Sequence, residues 1–496
     1  MWSLRASIKH IRPYHTSCIA HSPTTSAHTS TLSPSTSIAH NNSSATPIDS
    51  VELMNDDKKY ILGTYARFPH LFVRGDGCYL YDSNNVEYLD FYAGIAVNAL
   101  GHSHSDVSNT VIKHTNKLTH ISNLYYSVPQ IKLAKLLLES CRSDTCNCAA
   151  ANTTTTASTS IPSHISSGGC FQKLFYSNSG TEANEGAIKF ARKYAYTQTK
   201  SSIDRPNKKI QLIAFNGGFH GRTVGSLSVT YKQQYKQQFM PLMDNVTFVD
   251  YNDINAFKKM MNDNVCAVIV EPIQGEGGVN PGTKQFIQSI RDECNKYNAV
   301  MIVDEVQCGV GRTGSLWAHS TYGVQPDIMT LAKPLANGLP IGAILMKQHI
   351  ADCITPGDHG STFSGGPLIT SVAHTVVSKI QSDEFLQHVQ SMGKLLYNEL
   401  VQLKNKLSQH NTDNVQIIDI RSHEHSSLLV GVDLNVPVKD IIIEASGKHQ
   451  LLLISGGDKT IRLCPPLIIN EEQIRYAVNA LEKLLIDRPS KIQVTC

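Results

Sequence analysis

A lysine set between an apolar run and a glycine- and proline-rich turn has the surroundings of a nucleophilic amine, and Lys333 in LAKPLANGLPIGA is such a lysine. Apolar neighbours strip hydration from the charged form, which lowers the amine's pKa and frees its lone pair to attack an aldehyde. A surface lysine in a turn would look the same over so short a span. The stretch upstream, AVMIVDEVQCGVGRTG, separates the two: Ala299 to Val303 read as a buried strand, with Asp304 and Gln307 just past its end. A cation and an anion then stand on successive strand ends.

In a parallel sheet the carboxyl ends of strands border the ligand crevice, so both groups would face one space. Pyridoxal 5′-phosphate fits such a pair: its aldehyde forms an imine with Lys333, and Asp304 keeps its pyridine nitrogen protonated, so that the ring accepts electrons from the substrate carbon. Gln307 could bond the phenolic oxygen. LFYSNSGTEANEGAIKFARKYA offers a phosphate anchor, with a strand ending near Ser177 and a helix starting near Thr181 whose first N–H groups point outward. Gly180 permits close approach and Thr181 adds a hydroxyl, although Ser179 and Glu182 also match a capping box. In FNGGFHGRT, Phe219 could cover one face of the pyridine and Arg222 is suited to bidentate recognition of a carboxylate. Glu276 in VIVEPIQGEGGV and Arg462 in IRLCPPLII are further candidates, each equally readable as a surface charge.

The elements that must position these groups are legible as period and length. Strand-like runs at Gln211 to Phe215, Val265 to Val270, Ala299 to Val303 and Ile341 to Met346 alternate with helix-length segments, which predicts an α/β fold with a mostly parallel sheet. Near the end, EEQIRYAVNALEKLLID places Ile474, Val478, Leu481 and Leu485 on one helix face. The 496 residues suffice for a large domain plus a smaller one. A net charge of +3, much of it in the first residues, gives no basic surface for nucleic acid, and no apolar run is long enough to span a bilayer.

Two biased segments fall outside that pattern. Met1 to Ile48 has no Asp or Glu, and Arg5, Lys9 and Arg12 interleave with Leu4, Ile8 and Ile11 at helical spacing, as in a mitochondrial presequence. Ser143 to Gly169, containing TTTTASTS, reads as a surface loop inserted before the strand that leads to Ser177. Cys141, Cys146, Cys148 and Cys170 flank or lie within it, but their spacing matches no paired zinc arrangement, so no metal site is expected. The twelve cysteines are otherwise scattered, as in a reducing compartment.

NSGTEANE, FHGRT, EPIQGEGG, DEVQCGVGRTG, LAKPLANGLPIGA, GDHGSTF and RLCPPL, in this order, resemble the class III (subgroup II, ornithine-type) PLP-dependent aminotransferases from about Val51 to about Asp487. The resemblance implies fold type I, like aspartate aminotransferase, with a smaller α+β domain built from both chain ends. The expected division is 1–48 leader, 49–105 first part of the small domain, 106–385 cofactor domain with the insertion at 143–169, and 386–496 remainder of the small domain. It also implies Lys333 as the covalent attachment, Asp304 on the pyridine nitrogen, Phe219 stacked on the ring, and Gly180 and Thr181 on the phosphate. Thr362 would reach the phosphate of the neighbouring subunit with Ser361 beside it, so the active sites would be shared in a homodimer. Arg222 would hold the substrate carboxylate, and Glu276 and Arg462 resemble the family's gating pair.

TYARFPHLFVRG, DFYAGIAVNALGHSH and HISNLYYSVPQIKLAKLL are most similar to the acetylornithine branch. Ile95 stands where ornithine δ-aminotransferases carry an aromatic. That branch implies transfer of the terminal amino group of N2-acetyl-L-ornithine to 2-oxoglutarate, within arginine biosynthesis in the mitochondrial matrix. Ornithine and 4-aminobutyrate are the alternative donors. Ser105 and SGGPL depart from the family's usual Pro and GGNPL, which puts two loop geometries in doubt. GVGRTG, Gly309 to Gly314, also satisfies a dinucleotide-binding pattern, but no ribose-binding acid follows at the expected distance, which leaves a nicotinamide-dependent oxidoreductase as the weaker alternative.

Overall fold

Continuous apolar runs such as VCAVIV and VMIV have no polar face to offer solvent, so they are stable as strands only when covered on both sides. Both runs are completely buried. The computed structural model describes residues 49–141, 171–200, 206–409, 414–486 and 488–489. The expected leader, with Arg5, Lys9 and Arg12, and the Ser/Thr-rich insertion with Cys146, Cys148 and Cys170 lie outside the described residues.

From Ser50 onward the molecule is organised on a seven-stranded sheet. Its strands in chain order are β1 (Lys173–Ser177), β2 (Gln211–Phe215), β3 (Val246–Val249), β4 (Val265–Val270), β5 (Val300–Asp304), β6 (Ile328–Leu331) and β7 (Gly342–Met346). In space they run β1-β7-β6-β5-β4-β2-β3. The pairs among β2 to β6 are parallel, as expected, but β7 is antiparallel to both β6 and β1. The reason is the connection: only residues 332–341 link β6 to β7, and a parallel neighbour needs a crossover of about a dozen residues or more. Lys333 lies in that short link, in the 3-10 turn Lys333–Ala336.

Helices cover both faces. Helix Gly180–Gln198 lays Ala183, Ala187, Ala191 and Phe190 onto one face with Leu212, Ile269, Ile302 and Ile344. Helix Lys284–Lys296 lays Phe286, Ile287, Ile290 and Cys294 onto the other with Val268, Met301 and Val303. Small side chains on the first helix bring its backbone close to the sheet: a Cβ on Gly186 would stand 2.3 Å from Ile344 Cδ1.

The chain ends meet through strand pairing. Phe72–Asp76, Tyr79–Asp82 and Glu87–Asp90 form a sheet whose fourth strand is Leu451–Leu452, with Leu451 paired to Leu89. A second small sheet, antiparallel, joins Ile417–Ser422, Val430–Leu434, Thr460–Leu463 and Ile454–Ser455. Helix Glu471–Leu485 closes that end and buries Ile474, Val478, Leu481 and Leu485, the face its periodicity predicts. Its start is held by a capping box between Asn470 and Gln473. No helix among the described residues is long and apolar enough to cross a membrane.

Candidate active site

Register sets which side chains share the carboxyl edge of the sheet. Val270, Val303 and Met329 are level in neighbouring strands, so Glu271, Asp304 and Thr330 come next, and Lys333 follows in the turn beyond β6. Lys333, Asp304, Gln307, Gly180, Thr181, Phe219 and Arg222 line one cavity of about 260 Å³, together with Asn184, His220 and Glu271. Seven residues expected from the sequence are thus brought together.

Asp304 is 3% exposed, and its carboxylate has three donors. Oδ2 accepts from Asn184 Nδ2 at 2.7 Å and His220 Nδ1 at 2.8 Å, and Oδ1 accepts from the Val306 N–H at 3.0 Å. An imidazole nitrogen that donates to this carboxylate must bear the ring proton, so the contact is a hydrogen bond with His220 in its Nδ1–H form. Asn184 is itself fixed, because its Oδ1 accepts from the Thr330 hydroxyl at 2.8 Å and its Nδ2 also reaches the His220 carbonyl. The anion is therefore oriented by groups on four separate segments of chain.

Lys333 is partly exposed to the cavity. Burial and then the Arg462 guanidinium push its amine below the ordinary lysine range, against the opposing pull of Glu271 and Asp304. Glu271 shows the opposite displacement. Burial, partly offset by His220 and reinforced by the Asp304 charge, raises its carboxyl from 4.5 to about 7. Its two oxygens accept from the Phe219 N–H at 2.8 Å and the Gly275 N–H at 3.1 Å, which ties down the loop that carries Phe219.

At the start of helix Gly180–Gln198, Ser179 Oγ accepts the Glu182 N–H at 3.3 Å. The Glu182 carboxylate reaches the Asn178 N–H at 2.9 Å, one residue earlier than a standard capping box would place it. The first N–H groups, of Gly180 and Thr181, are left over by helix geometry. A Cβ on Gly180 would stand 2.5 Å from Val306, so only glycine leaves this edge of the cavity open. The Thr181 hydroxyl accepts the N–H groups of Arg222 and Thr223 at 3.0 and 3.2 Å. Gly221, at φ +134°, packs so closely that a Cβ there would lie 2.1 Å from Thr181 Oγ1.

The remaining candidates are not among the residues that line the cavity. Arg462 is buried, donates from Nη1 to Gln307 Oε1 at 3.2 Å, and has no partner for its Nε among the described residues. Glu276 accepts from Tyr235 at 3.0 Å and pairs with Lys232 at 3.5 Å. No ion pair joins Glu276 to Arg462 among the described residues. The Ser361 hydroxyl accepts from Asn178 Nδ2 at 3.0 Å, whereas Thr362 is exposed and outside the cavity lining.

This donor set fits pyridoxal 5′-phosphate. An amine of lowered basicity and an oriented anion share one cavity, whose far edge is a helix start where a side chain at 180 would intrude. Glu271, Asn184, His220 and Tyr235 were not among the residues expected from the sequence. Glu271 carried a signal, since it ends the apolar run VCAVIV as Asp304 ends VMIV. Asn184 did too, as an amide within a stripe of small apolar residues on a buried helix face.

Residues 63–485 match the sequence profile of the family described as aminotransferase class-III. The chain is 42% identical over 437 residues to the mitochondrial acetylornithine aminotransferase of Alnus glutinosa, covering 88% of each. It is 43% identical over 431 residues to the probable mitochondrial acetylornithine aminotransferase of Dictyostelium discoideum, covering 86% of each. Among solved structures, the ornithine aminotransferase of Toxoplasma gondii superposes with a TM-score of 0.76 at 26% identity, over 88% of this chain and 94% of that one. The N-acetylornithine aminotransferase of Stenotrophomonas maltophilia does so with a TM-score of 0.68 at 29% identity, over 87% and 98%.

Proposed function

The chain belongs to the class-III aminotransferase family, and on that premise we propose that it moves the terminal amino group of N2-acetyl-L-ornithine to 2-oxoglutarate. The products are N-acetyl-L-glutamate 5-semialdehyde and L-glutamate, a step of arginine biosynthesis. The observation that carries this proposal is the pair formed by Lys333 and Asp304: an amine of lowered basicity and an oriented anion in one cavity.

Pyridoxal 5′-phosphate, when bound, supplies an aldehyde for amines and an electron sink for the substrate carbon that loses its proton. Lys333 would hold it covalently, Asp304 would pair with its ring nitrogen, Gln307 with its phenolic oxygen and Phe219 with its face. The helix start at Gly180 and Thr181 would take the phosphate. Arg222 receives the donor's carboxylate as a bidentate partner, and Ser361 lies close to that substrate. Once the donor amine has displaced Lys333 from that covalent linkage, the freed Lys333 Nζ, kept weakly basic by burial and by Arg462, takes the proton from the carbon that bears the amine. Among the described residues Arg462 is a buried guanidinium bonded only to a neutral amide, with no ion-pair partner, which suits it to the α-carboxylate of 2-oxoglutarate. Glu276 covers Arg462 while the donor reacts.

The working unit in this proposal is a homodimer with shared sites, Thr362 serving the partner's phosphate. Supporting this, Leu124, Tyr125 and Tyr126 are exposed, the last at 95%, beside a segment bonded through Asn123 to the carbonyls of Ser361 and Ser364. His120 packs on the exposed Phe363 in the same patch. Apolar surface of this kind on one face marks an association site. The mitochondrial matrix is the proposed location, supported by the acid-free, arginine-bearing leader and by the mitochondrial relatives.

Hydride trapping followed by peptide mapping tests the cofactor assignment: a tag on the peptide that carries Lys333 is expected, and a tag elsewhere or none overturns it. Specificity constants for N-acetylornithine, ornithine and 4-aminobutyrate test the donor. Preference for ornithine by about tenfold, or about 1.4 kcal/mol in transition-state binding, would reassign it.

A further inference from the structure

Tyr235 touches Arg222, Lys232 and Glu276. Its ring receives the Arg222 guanidinium 3.5 Å from the centroid and meets the edge of Phe219 at 6.4 Å. Its hydroxyl donates to Glu276 Oε1 at 3.0 Å and accepts from Lys232 Nζ at 3.4 Å. Lys232 also pairs with the same Glu276 oxygen and stands 5.0 Å from the tyrosine ring. Burial alone would lower the Lys232 pKa, but the neighbouring Glu276 and Tyr235 outweigh it and raise it.

The geometry points to Tyr235 and Lys232 as a holding site for Glu276, which keeps that carboxylate off Arg462 and so sets how readily the enzyme accepts a dicarboxylate. This rests on the reading of Arg222 and Arg462 given above. In the gating arrangement proposed above, Glu276 moves between two cationic environments. One is the buried Arg462, whose Nε lacks a partner among the described residues. The other is the half-buried Lys232 with the tyrosine hydroxyl, where the carboxylate rests in this structure. Whatever weakens the second favours the first, and a covered Arg462 cannot receive the second carboxylate of an acceptor. The tyrosine ring does separate work, because a flat face against Arg222 orients the guanidinium that a monocarboxylate donor uses. One side chain thereby positions both carboxylate-recognising groups, through its hydroxyl and its ring respectively.

The two functions separate by substitution. Calorimetry on the holoenzyme would compare glutarate, which presents two carboxylates and no reacting carbonyl, with valerate, which presents one. Tyr235→Phe keeps the ring and loses the hydroxyl, so glutarate should bind about tenfold more weakly, the loss of one hydrogen bond to a charged group, while valerate changes by less than about twofold. Lys232→Met should behave alike, and Tyr235→Leu should weaken valerate as well. In a Glu276→Gln background the Tyr235→Phe effect on glutarate should vanish, since no charge remains to be held. The KM for 2-oxoglutarate should follow the glutarate affinity. Equal losses for both ligands in Tyr235→Phe, or a loss that persists in the Glu276→Gln background, would show a merely structural tyrosine and overturn the inference. If Arg462→Ala leaves glutarate affinity unchanged, the underlying reading of Arg462 is what fails, and the holding site falls with it.

Discussion

Replacing Glu271 with glutamine should remove a pH dependence that the buried site imposes on the fold. The Glu271 carboxyl lies between the His220–Asp304 pair and the loop carrying Phe219, and its pKa rises from 4.5 to about 7, chiefly through burial. Between those values the folded protein keeps a proton that the unfolded chain has released. Stability therefore falls as pH rises through this window, because the unfolded state binds fewer protons. Each pKa unit is worth about 1.4 kcal/mol, so the full penalty above neutral pH is about 3 kcal/mol. With an unfolding entropy of about 2 cal/mol/K per residue over about 440 residues, that corresponds to about 3 °C in thermal midpoint.

The substituted amide would carry no charge at any pH, so the penalty disappears. It introduces another, since its NH₂ must face the Gly275 N–H in place of an acceptor, at a cost of about 1–2 kcal/mol that does not vary with pH. Melting profiles of wild type and Glu271→Gln recorded from about pH 5 to about pH 8 should therefore cross, with the wild type the more stable at the acid end and losing about 3 °C relative to the variant across the window. Infrared difference spectra should show a protonated carboxyl that titrates near neutrality in the wild type alone. A variant whose midpoint tracks the wild type at a constant offset across the window would refute the assignment of a proton to Glu271.

Three other substitutions probe separate parts of the site. In the proposed mechanism Lys333→Ala removes the covalent anchor and the base together, so kcat/KM should fall by at least about 10³-fold in a steady-state assay while the fold persists; retention within about tenfold would contradict that role. Gly221→Ala forces a Cβ within 2.1 Å of Thr181 Oγ1 at φ +134°, which should cost about 2–4 kcal/mol of stability and weaken coenzyme binding measured by calorimetric titration. Ile95→Gly relieves a β-branched residue at φ +66° whose side chain is 37% exposed, so chemical denaturation should show a gain of up to about 1 kcal/mol while discrimination against ornithine declines.

The difference between what was legible in the sequence and what was not follows from how each residue acts. Lys333, Asp304, Gly180, Thr181, Phe219 and Arg222 announce themselves because chemistry requires a residue type at a strand end or helix start, and those ends are marked by apolar runs and glycines. The parallel strands β2, β4 and β5 were readable for the same reason, whereas the edge strand β3 was not, and the antiparallel run of β7 depended on counting the short link after Lys333. Tyr235 and Lys232 act only through where a loop folds back after helix Val224–Ser228, in a polar stretch, TYKQQYKQQ, that alone reads as solvated surface.

Glu271 illustrates the remaining ambiguity most clearly. Two adjacent buried strands each end in a carboxylate, VCAVIV in Glu271 and VMIV in Asp304, and pattern alone does not rank them as partner for a ring nitrogen. Their donors do. Asp304 receives two side-chain donors and one backbone N–H, and Asn184 and Thr330 continue its network into the sheet. Among the described residues Glu271 receives only two backbone N–H groups, and its pKa is raised to about 7. Two like charges side by side in a buried cavity are unfavourable, and a proton on one of them resolves the conflict. Glu271, its pKa pushed up to about 7, is the carboxyl placed to take that proton, and it serves as the strut that holds the Phe219 N–H in place.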